Sequence, residues 1–195
     1  MRILLADNYD SFVHNIEQIL REQGGAKVTI VKTDCIDLTA LTQYDGIVFS
    51  PGPDVVDPGG KMTEILQVAP GQMPILGVCL GFEQIAVHFG GKLNNLKVNY
   101  HGLARTLHLL DINDPLFRGV PLSSLVGLYH SWEVDRKTLP SVLIPTAISE
   151  DRVLMAFRHK TRPVFGLQFH PESVITQYGS TILLNFLHQV KAISG

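Results

Sequence analysis

The chain is predicted to be an α/β protein: a mostly parallel central sheet flanked by helices, extended by antiparallel hairpins. Three observations predict this. Short, nearly wholly apolar segments alternate with helix-periodic ones through residues 3–91, and strands buried on both faces of a parallel sheet read as continuous apolar runs. These apolar runs end abruptly in turn residues, at Asn8-Tyr9-Asp10, Pro51-Gly52-Pro53 and Cys79. From residue 92 to about 170 the pattern becomes short strands separated by turn signals such as Asn113-Asp114-Pro115, the mark of antiparallel hairpins.

Taken in order, residues 3–6 form a first strand, and Asn8-Tyr9-Asp10 a turn in which Asp10 or Ser11 caps a helix. Phe12, Val13, Ile16, Ile19 and Leu20 recur at helical spacing as far as Gly24-Gly25. Residues 28–31 and 46–50 are the next strands. A helix over residues 61–68 leads through Pro74 to a fourth strand, residues 75–78. Cys79 follows, then an amphipathic helix stopped by Gly90-Gly91. The hairpin region supplies strands at residues 103–110, 124–129, 142–148, 153–158 and 164–169. A last helix over residues 179–191 offers Ile182, Leu183, Phe186, Leu187 and Val190 to the core. In such sheets ligands sit beyond the carboxyl ends of the strands, where Asp7, Ser50 and Cys79 fall.

Bulk properties narrow the function classes. A chain of 195 residues suits one sizeable core, so residues 1–195 are expected to be a single domain. Net charge is −2, which gives no reason to expect nucleic acid or an anionic membrane as partner. No apolar run approaches the ~20 residues needed to span a bilayer, and the N-terminal run is too short for a signal peptide. The two cysteines, Cys35 and Cys79, make no disulfide framework, and a reducing cytoplasmic setting fits them. Eight histidines are present without His-Glu-x-x-His or paired-cysteine spacing, so no metal site and no cofactor are expected.

The chemistry centres on Gly77-Val78-Cys79-Leu80-Gly81. An apolar strand that turns sharply into a helix, with a nucleophile at the bend, is the geometry of a nucleophile elbow. The flanking glycines make room for close backbone approach. The helix N-terminus is expected to favour the thiolate, and the Leu80 N–H to point where a carbonyl oxygen becomes an oxyanion. A free cysteine is equally at home as a small buried hydrophobe, and the motif alone admits both readings. Val164 to Glu172 adds the missing groups: an apolar strand ends in His170, and Glu172 follows two residues later. A cysteine nucleophile needs an imidazole as base and acid, and the imidazole needs an acceptor on its other nitrogen. Cys79, His170 and Glu172 together read as a catalytic triad. In Ser50-Pro51-Gly52-Pro53 the glycine is either part of a rigid turn or a second oxyanion donor, and the spacing does not decide between them.

These motifs, together with Asp7-Asn8-Tyr9-Asp10-Ser11-Phe12 and Tyr129-His130-Ser131-Trp132, stand across nearly the whole chain in one family's order. The sequence resembles the class I, triad-type glutamine amidotransferases, and more narrowly the glutaminase subunits of anthranilate synthase and aminodeoxychorismate (para-aminobenzoate) synthase. The resemblance implies a flavodoxin-like sheet and hydrolysis of L-glutamine to glutamate and ammonia through a γ-glutamyl thioester on Cys79. It implies His170 as general base and acid with Glu172 as its orienter, and an oxyanion hole from the Gly52 and Leu80 N–H groups. It places Gly52, Pro53, Asp54, Glu83, Ser131 and Trp132 around the substrate, with Ser131 and Trp132 holding the amino-acid end through their backbone.

Two positions depart from the family pattern. Phe82-Glu83 stands where His-Gln is usual, and Asp54 where a further glycine is usual. A glutamate loses the amide donor and brings a charge that opposes a nearby substrate carboxylate. Gln84 is turned by about 100° from it on a helix and is not expected to substitute. No phosphate-loop motif or second synthase unit is visible, so the ammonia acceptor is expected on another chain. The resemblance makes that partner a chorismate-binding synthase subunit (component I). Residues 7–11, near the active edge by their place at a strand end, are either part of its docking surface or simply a capped helix start. The alternatives are an amidotransferase subunit for another acceptor pathway and a non-catalytic regulatory subunit that binds a partner.

Overall fold

The computed structural model describes residues 1–96 and 100–194. The strands are β1 (Arg2–Asp7), β2 (Lys27–Lys32), β3 (Gly46–Phe49), β4 (Ile75–Val78), β5 (Leu93–Asn95), β6 (Leu103–Leu109), β7 (Ser123–Leu128), β8 (Trp132–Val134), β9 (Leu143–Ser149), β10 (Leu154–His159) and β11 (Val164–Leu167). The helices are α1 (Val13–Gln18), α2 (Lys61–Val68), α3 (Leu80–His88) and α4 (Gly179–Ser194). A nine-stranded sheet runs in the order β2-β1-β3-β4-β11-β10-β9-β6-β7, beside a small β5-β8 ribbon.

The β2-β1-β3-β4-β11 portion is parallel throughout. The antiparallel strands attach to the far edge of β11. This corrects the expectation for residues 164–169, which the turn pattern groups with the hairpins. β11 pairs in parallel with β4, Gly166 opposite Gly77 and Leu167 opposite Val78. Its regular pairing ends at Leu167. Beyond it, the Gln168 N–H donates to the Met155 carbonyl, and the His170 N–H crosses to Gly127 of β7.

The core lies on both faces of the sheet. Ile3 and Leu5 of β1 face one way, toward Ile16 and Leu20 near α1 and toward Phe186 and Leu187 of α4. Leu4 and Ala6 face the other way, toward Ile65 and Leu66 of α2 and toward Phe82 and Ile85 of α3. That alternation is the period-2 geometry of a strand. Each fully buried Leu, Ile or Phe contributes about 1.5–3 kcal/mol.

Several local expectations change. Helix α1 starts at Val13, and neither Asp10 nor Ser11 caps it. Asp10 instead accepts the Phe12 N–H at 2.8 Å, in a turn before the helix. The helix then widens into a π-helical turn, Ile19–Gln23, before Gly24. α3 is not amphipathic: Leu80 to Ala86 are all buried, because α2 covers the face that β4 and β11 do not. No described helix is long and apolar enough to cross a membrane.

Candidate active site

Cys79 occupies the single residue between β4 and α3, at φ 51° and ψ −103°. A side chain with a Cβ rarely adopts positive φ, and such strain persists only where the surroundings over-determine it. Here they do. The Cys79 N–H donates to the Leu167 carbonyl at 2.8 Å, and its own carbonyl accepts the Glu83 N–H that starts α3. The flanking glycines allow the bend by close approach and not by unusual φ. A Cβ on Gly77 would lie 2.4 Å from the Gly81 carbonyl oxygen, and one on Gly81 2.6 Å from the Phe49 Cβ.

The imidazole of His170 and the carboxylate of Glu172 are both buried and meet at 2.6 Å, Nδ1 to Oε1. With a carboxylate as acceptor, Nδ1 carries the proton, which leaves Nε2 as the free base. Nε2 has no hydrogen-bond partner among the described residues. The Thr176 hydroxyl donates to the His170 carbonyl, and the Tyr129 ring lies 4.7 Å from the imidazole, centroid to centroid. Cys79 and His170 line one outer cleft of about 320 Å³, together with Asp10, Gly52, Pro53 and Tyr129. Burial raises the Asp10 carboxyl above its ordinary value, opposed by its backbone bond to Phe12 and by the His170 ring.

An inner cleft of about 150 Å³ adjoins the outer one, sharing Cys79, Gly52, Pro53 and Tyr129. It is lined further by Asp54, Leu80, Glu83, Ser131 and Trp132. All six residues expected around the substrate therefore face one space. Gly52 has to be glycine here: a Cβ would lie 2.6 Å from the Asn8 carbonyl oxygen and 2.8 Å from the Leu80 side chain. Asn8 in turn clamps the loop after β3, its N–H and side-chain amide donating to the Ser50 hydroxyl and carbonyl.

The family model for class-I glutamine amidotransferases matches residues 4–190. The chain belongs to this family. It is 40% identical to aminodeoxychorismate synthase component 2 of Escherichia coli, over 96% of this chain and all of that one. It is 38% identical to a putative anthranilate synthase component II of Haemophilus influenzae, over 96% of each. Against the bifunctional protein TrpGD of Thermotoga maritima identity is 38% over 99% of this chain, which spans only 34% of that longer protein. Among solved structures, a putative GMP synthase subunit from Thermoplasma acidophilum superposes with a TM-score of 0.88 at 32% identity, covering 98% of this chain and 94% of that one.

Within the candidate site the protonation of Cys79 differs from expectation. Burial pushes the thiol well above its ordinary value, and the negative charges of Glu83 and Glu172 push the same way. The Leu80 N–H at the start of α3 opposes them and does not outweigh them. The helix end alone therefore does not make a thiolate, because desolvation penalises the charged form more than one helix terminus favours it.

Glu83 is 4% exposed, and burial raises its carboxyl to about 7. Its Oε1 accepts from the Gln168 amide at 2.9 Å, and the same nitrogen lies 4.0 Å from the Cys79 sulfur. Gln84 points away, donating to the Thr63 hydroxyl on α2. Asp7 takes no place in the clefts described: it pairs with Lys32 at 2.6 Å and accepts the Asp10 N–H. Two contributors escaped sequence reasoning. Gln168 stands two residues before His170, just past the end of β11, and its amide reaches Glu83. His130 donates from Nδ1 to the Trp132 carbonyl at 2.6 Å and so shapes the loop of Ser131 and Trp132. Burial holds His130 neutral, lowered to about 4. Among the described residues no group of three or more His, Cys, Asp or Glu side chains is arranged to hold a metal.

Proposed function

We propose that this chain is a glutaminase subunit that hydrolyses L-glutamine to glutamate and ammonia and passes the ammonia to a chorismate-binding synthase chain. The observation that carries the reading is that Cys79, on its strained turn, shares one cleft with His170, whose Nδ1 is paired with Glu172, and that this cleft adjoins an inner pocket. In the reaction, His170 Nε2 takes the thiol proton as the Cys79 sulfur attacks the side-chain amide carbon. The Leu80 and Gly52 N–H groups receive the oxyanion. His170 returns the proton to the departing nitrogen, and ammonia leaves a γ-glutamyl thioester. Water, deprotonated by His170, then attacks the thioester to release glutamate and restore the thiol. Glu172 keeps the imidazole in the required tautomer throughout.

The inner pocket is the site for the amino-acid end of glutamine, with the backbone of Ser131 and Trp132 as its grip and Pro53 and Asp54 at its rim. The reading treats residues 1–195 as one amidotransferase domain, supported by the single large sheet whose loops form both clefts. A chorismate-binding partner is supported by the names of the relatives from Escherichia coli and Haemophilus influenzae. Its docking surface is the loop of residues 7–11 at the outer cleft, where Tyr9 and the neighbouring Phe12 are exposed. A second reading, a different acceptor chain, is favoured by the likeness to the putative GMP synthase protein.

The test is reconstitution with the chorismate-binding chain that co-purifies with the native protein. Cys79→Ser is expected to abolish glutamine-dependent amine synthesis and to leave synthesis from ammonium salts intact. Loss of both would make Cys79 a structural residue. Co-purification of an unrelated acceptor enzyme would favour the second reading.

A further inference from the structure

A third cleft, of about 310 Å³, opens beside the loop that follows β3. It is walled by Tyr9 after β1, Asp34 after β2, Asp54 and Asp57 after β3, and Lys61 and Met62 of α2. The chain passes from β1 outward to β2, then returns to lay β3 on the other side of β1. The strand order therefore reverses between β1 and β3, and the carboxyl ends of strands leave a crevice at such a point. Asp54, Val55 and Leu80 face both this crevice and the inner cleft, whereas Cys79 and His170 do not line it.

The charge here is one-sided. Asp34 accepts the Tyr9 hydroxyl, at 3.0 and 2.9 Å to its two oxygens. Asp57 accepts the Gly59 N–H through Oδ1 at 2.9 Å, ahead of α2, and its Oδ2 accepts nothing among the described residues. The two nearby lysines are committed elsewhere, Lys61 to Glu64 at 2.8 Å and Lys32 to Asp7 at 2.6 Å. Asp34, Asp54 and Asp57 thus face one space without an ion-pair partner among the described residues. Gln84 also lines the crevice and is fully buried. Its Nε2 donates to Thr63 at 2.8 Å, and its Oε1 has no partner among the described residues. A buried acceptor without a donor is destabilising. The side chains left over are therefore acceptors, and what they lack is a positively charged donor. The rest of the wall is apolar, from Val55, Met62 and Leu80.

We propose that this crevice is a second ligand site, separate from the glutaminase clefts, and that it takes a small primary ammonium compound, its charged group held by Asp34, Asp54 and Asp57 and its apolar body lying on Val55, Met62 and Leu80. A volume of about 310 Å³ stands at the lower end of small-molecule sites and suits a short amine. Asp54, one of the two departures from the family pattern, supplies part of the charge. The site goes beyond the glutaminase reading and does not depend on it.

The experiment titrates the full chain with n-butylammonium chloride at constant ionic strength and follows backbone amide shifts by heteronuclear NMR. Saturable shifts are expected at Asp34, Asp57 and Met62. Methylammonium should bind more weakly, each methylene that reaches the apolar wall adding up to about fourfold. Asp34→Asn and Asp57→Asn keep the acceptors for Tyr9 and Gly59 at exposed positions, and each should weaken n-butylammonium by about two- to fivefold. Absence of saturable shifts, or unchanged binding in both variants, would overturn the proposal. Equal saturation by potassium chloride would reduce the crevice to a site for an adventitious ion only, and equal binding of n-butanol would make it merely apolar; either result overturns it. In the complex with the co-purifying chain the n-butylammonium midpoint should persist, and its loss there would assign the crevice to that chain instead of a free ligand. Glutamine turnover enters none of these readouts, so failure of the glutaminase reading would leave the result standing.

Discussion

Gly77→Ala probes the bend that presents Cys79. An ideal Cβ at residue 77 falls 2.4 Å from the Gly81 carbonyl oxygen, 2.5 Å from its carbonyl carbon and 2.6 Å from the Ile85 side chain. Ordinary contact begins at 3.4 Å. Two of those three atoms are backbone and cannot rotate away, so the first turn of α3 has to retreat from β4 by about 1 Å, on the steep repulsive side of the contact. Overpacking of this kind costs about 1–3 kcal/mol. For a chain of this length that corresponds to a fall in Tm of roughly 2–12 °C. The effect on chemistry should be larger than the effect on stability, because a 1 Å displacement of a reacting atom costs on the order of 10²-fold. Circular dichroism melts and glutamine-dependent ammonia release measure the two effects. Gly71→Ala is the control, since a Cβ there meets nothing within 4 Å, and it should leave both within error or raise Tm slightly. A Gly77→Ala protein with wild-type Tm and turnover would show that β4 and α3 are not held at this separation, and the account of the elbow would fall with it.

Glu172→Gln keeps an oxygen near His170 Nδ1 but removes the charge and permits the wrong tautomer; kcat should drop by about 10³–10⁴ with KM little changed, and a drop below tenfold would remove Glu172 from the triad. His130 predicts a specific acid sensitivity. Its folded value of about 4 lies below the ordinary 6.5, so between those values the unfolded chain binds the extra proton and acidification favours unfolding. Stability present above pH 6.5 should therefore be lost as pH falls toward 4, by up to about 3 kcal/mol from this residue. Urea unfolding of His130→Gln and wild type across that range should show the variant losing less, and parallel pH profiles would refute the assignment.

Legibility of the fold tracked how local the governing physics is. Residues 3–6, 46–50 and 75–78 announced themselves because a strand covered on both faces must be apolar nearly throughout, although the second of these ends at Phe49. Helix α2 lay where its spacing placed it. The direction of β11 was not readable, since an apolar strand carries no mark of parallel or antiparallel pairing. That choice was made by the open edge of β4. The β5–β8 ribbon, Leu93–Asn95 against Trp132–Val134, was too short and too polar to show a period. Asp10 resembled a helix cap, yet the chain used it one turn early, to hold the loop that meets His170.

The residue order alone established which groups can do chemistry: a cysteine between glycines after an apolar run, and a histidine two residues before a glutamate after another. Those are statements about covalent neighbours, and covalent neighbours are what a sequence records. Tertiary structure decided how those groups are charged. Burial holds Cys79 as a thiol, with the Glu83 and Glu172 charges pushing the same way, and burial raises Glu83 to about 7 against the opposing hydrogen bond from Gln168. The free energy of a charge depends on the dielectric and the dipoles around it, and in this cleft they come from β4, α3, β11 and the loop ahead of β8, which only folding brings together.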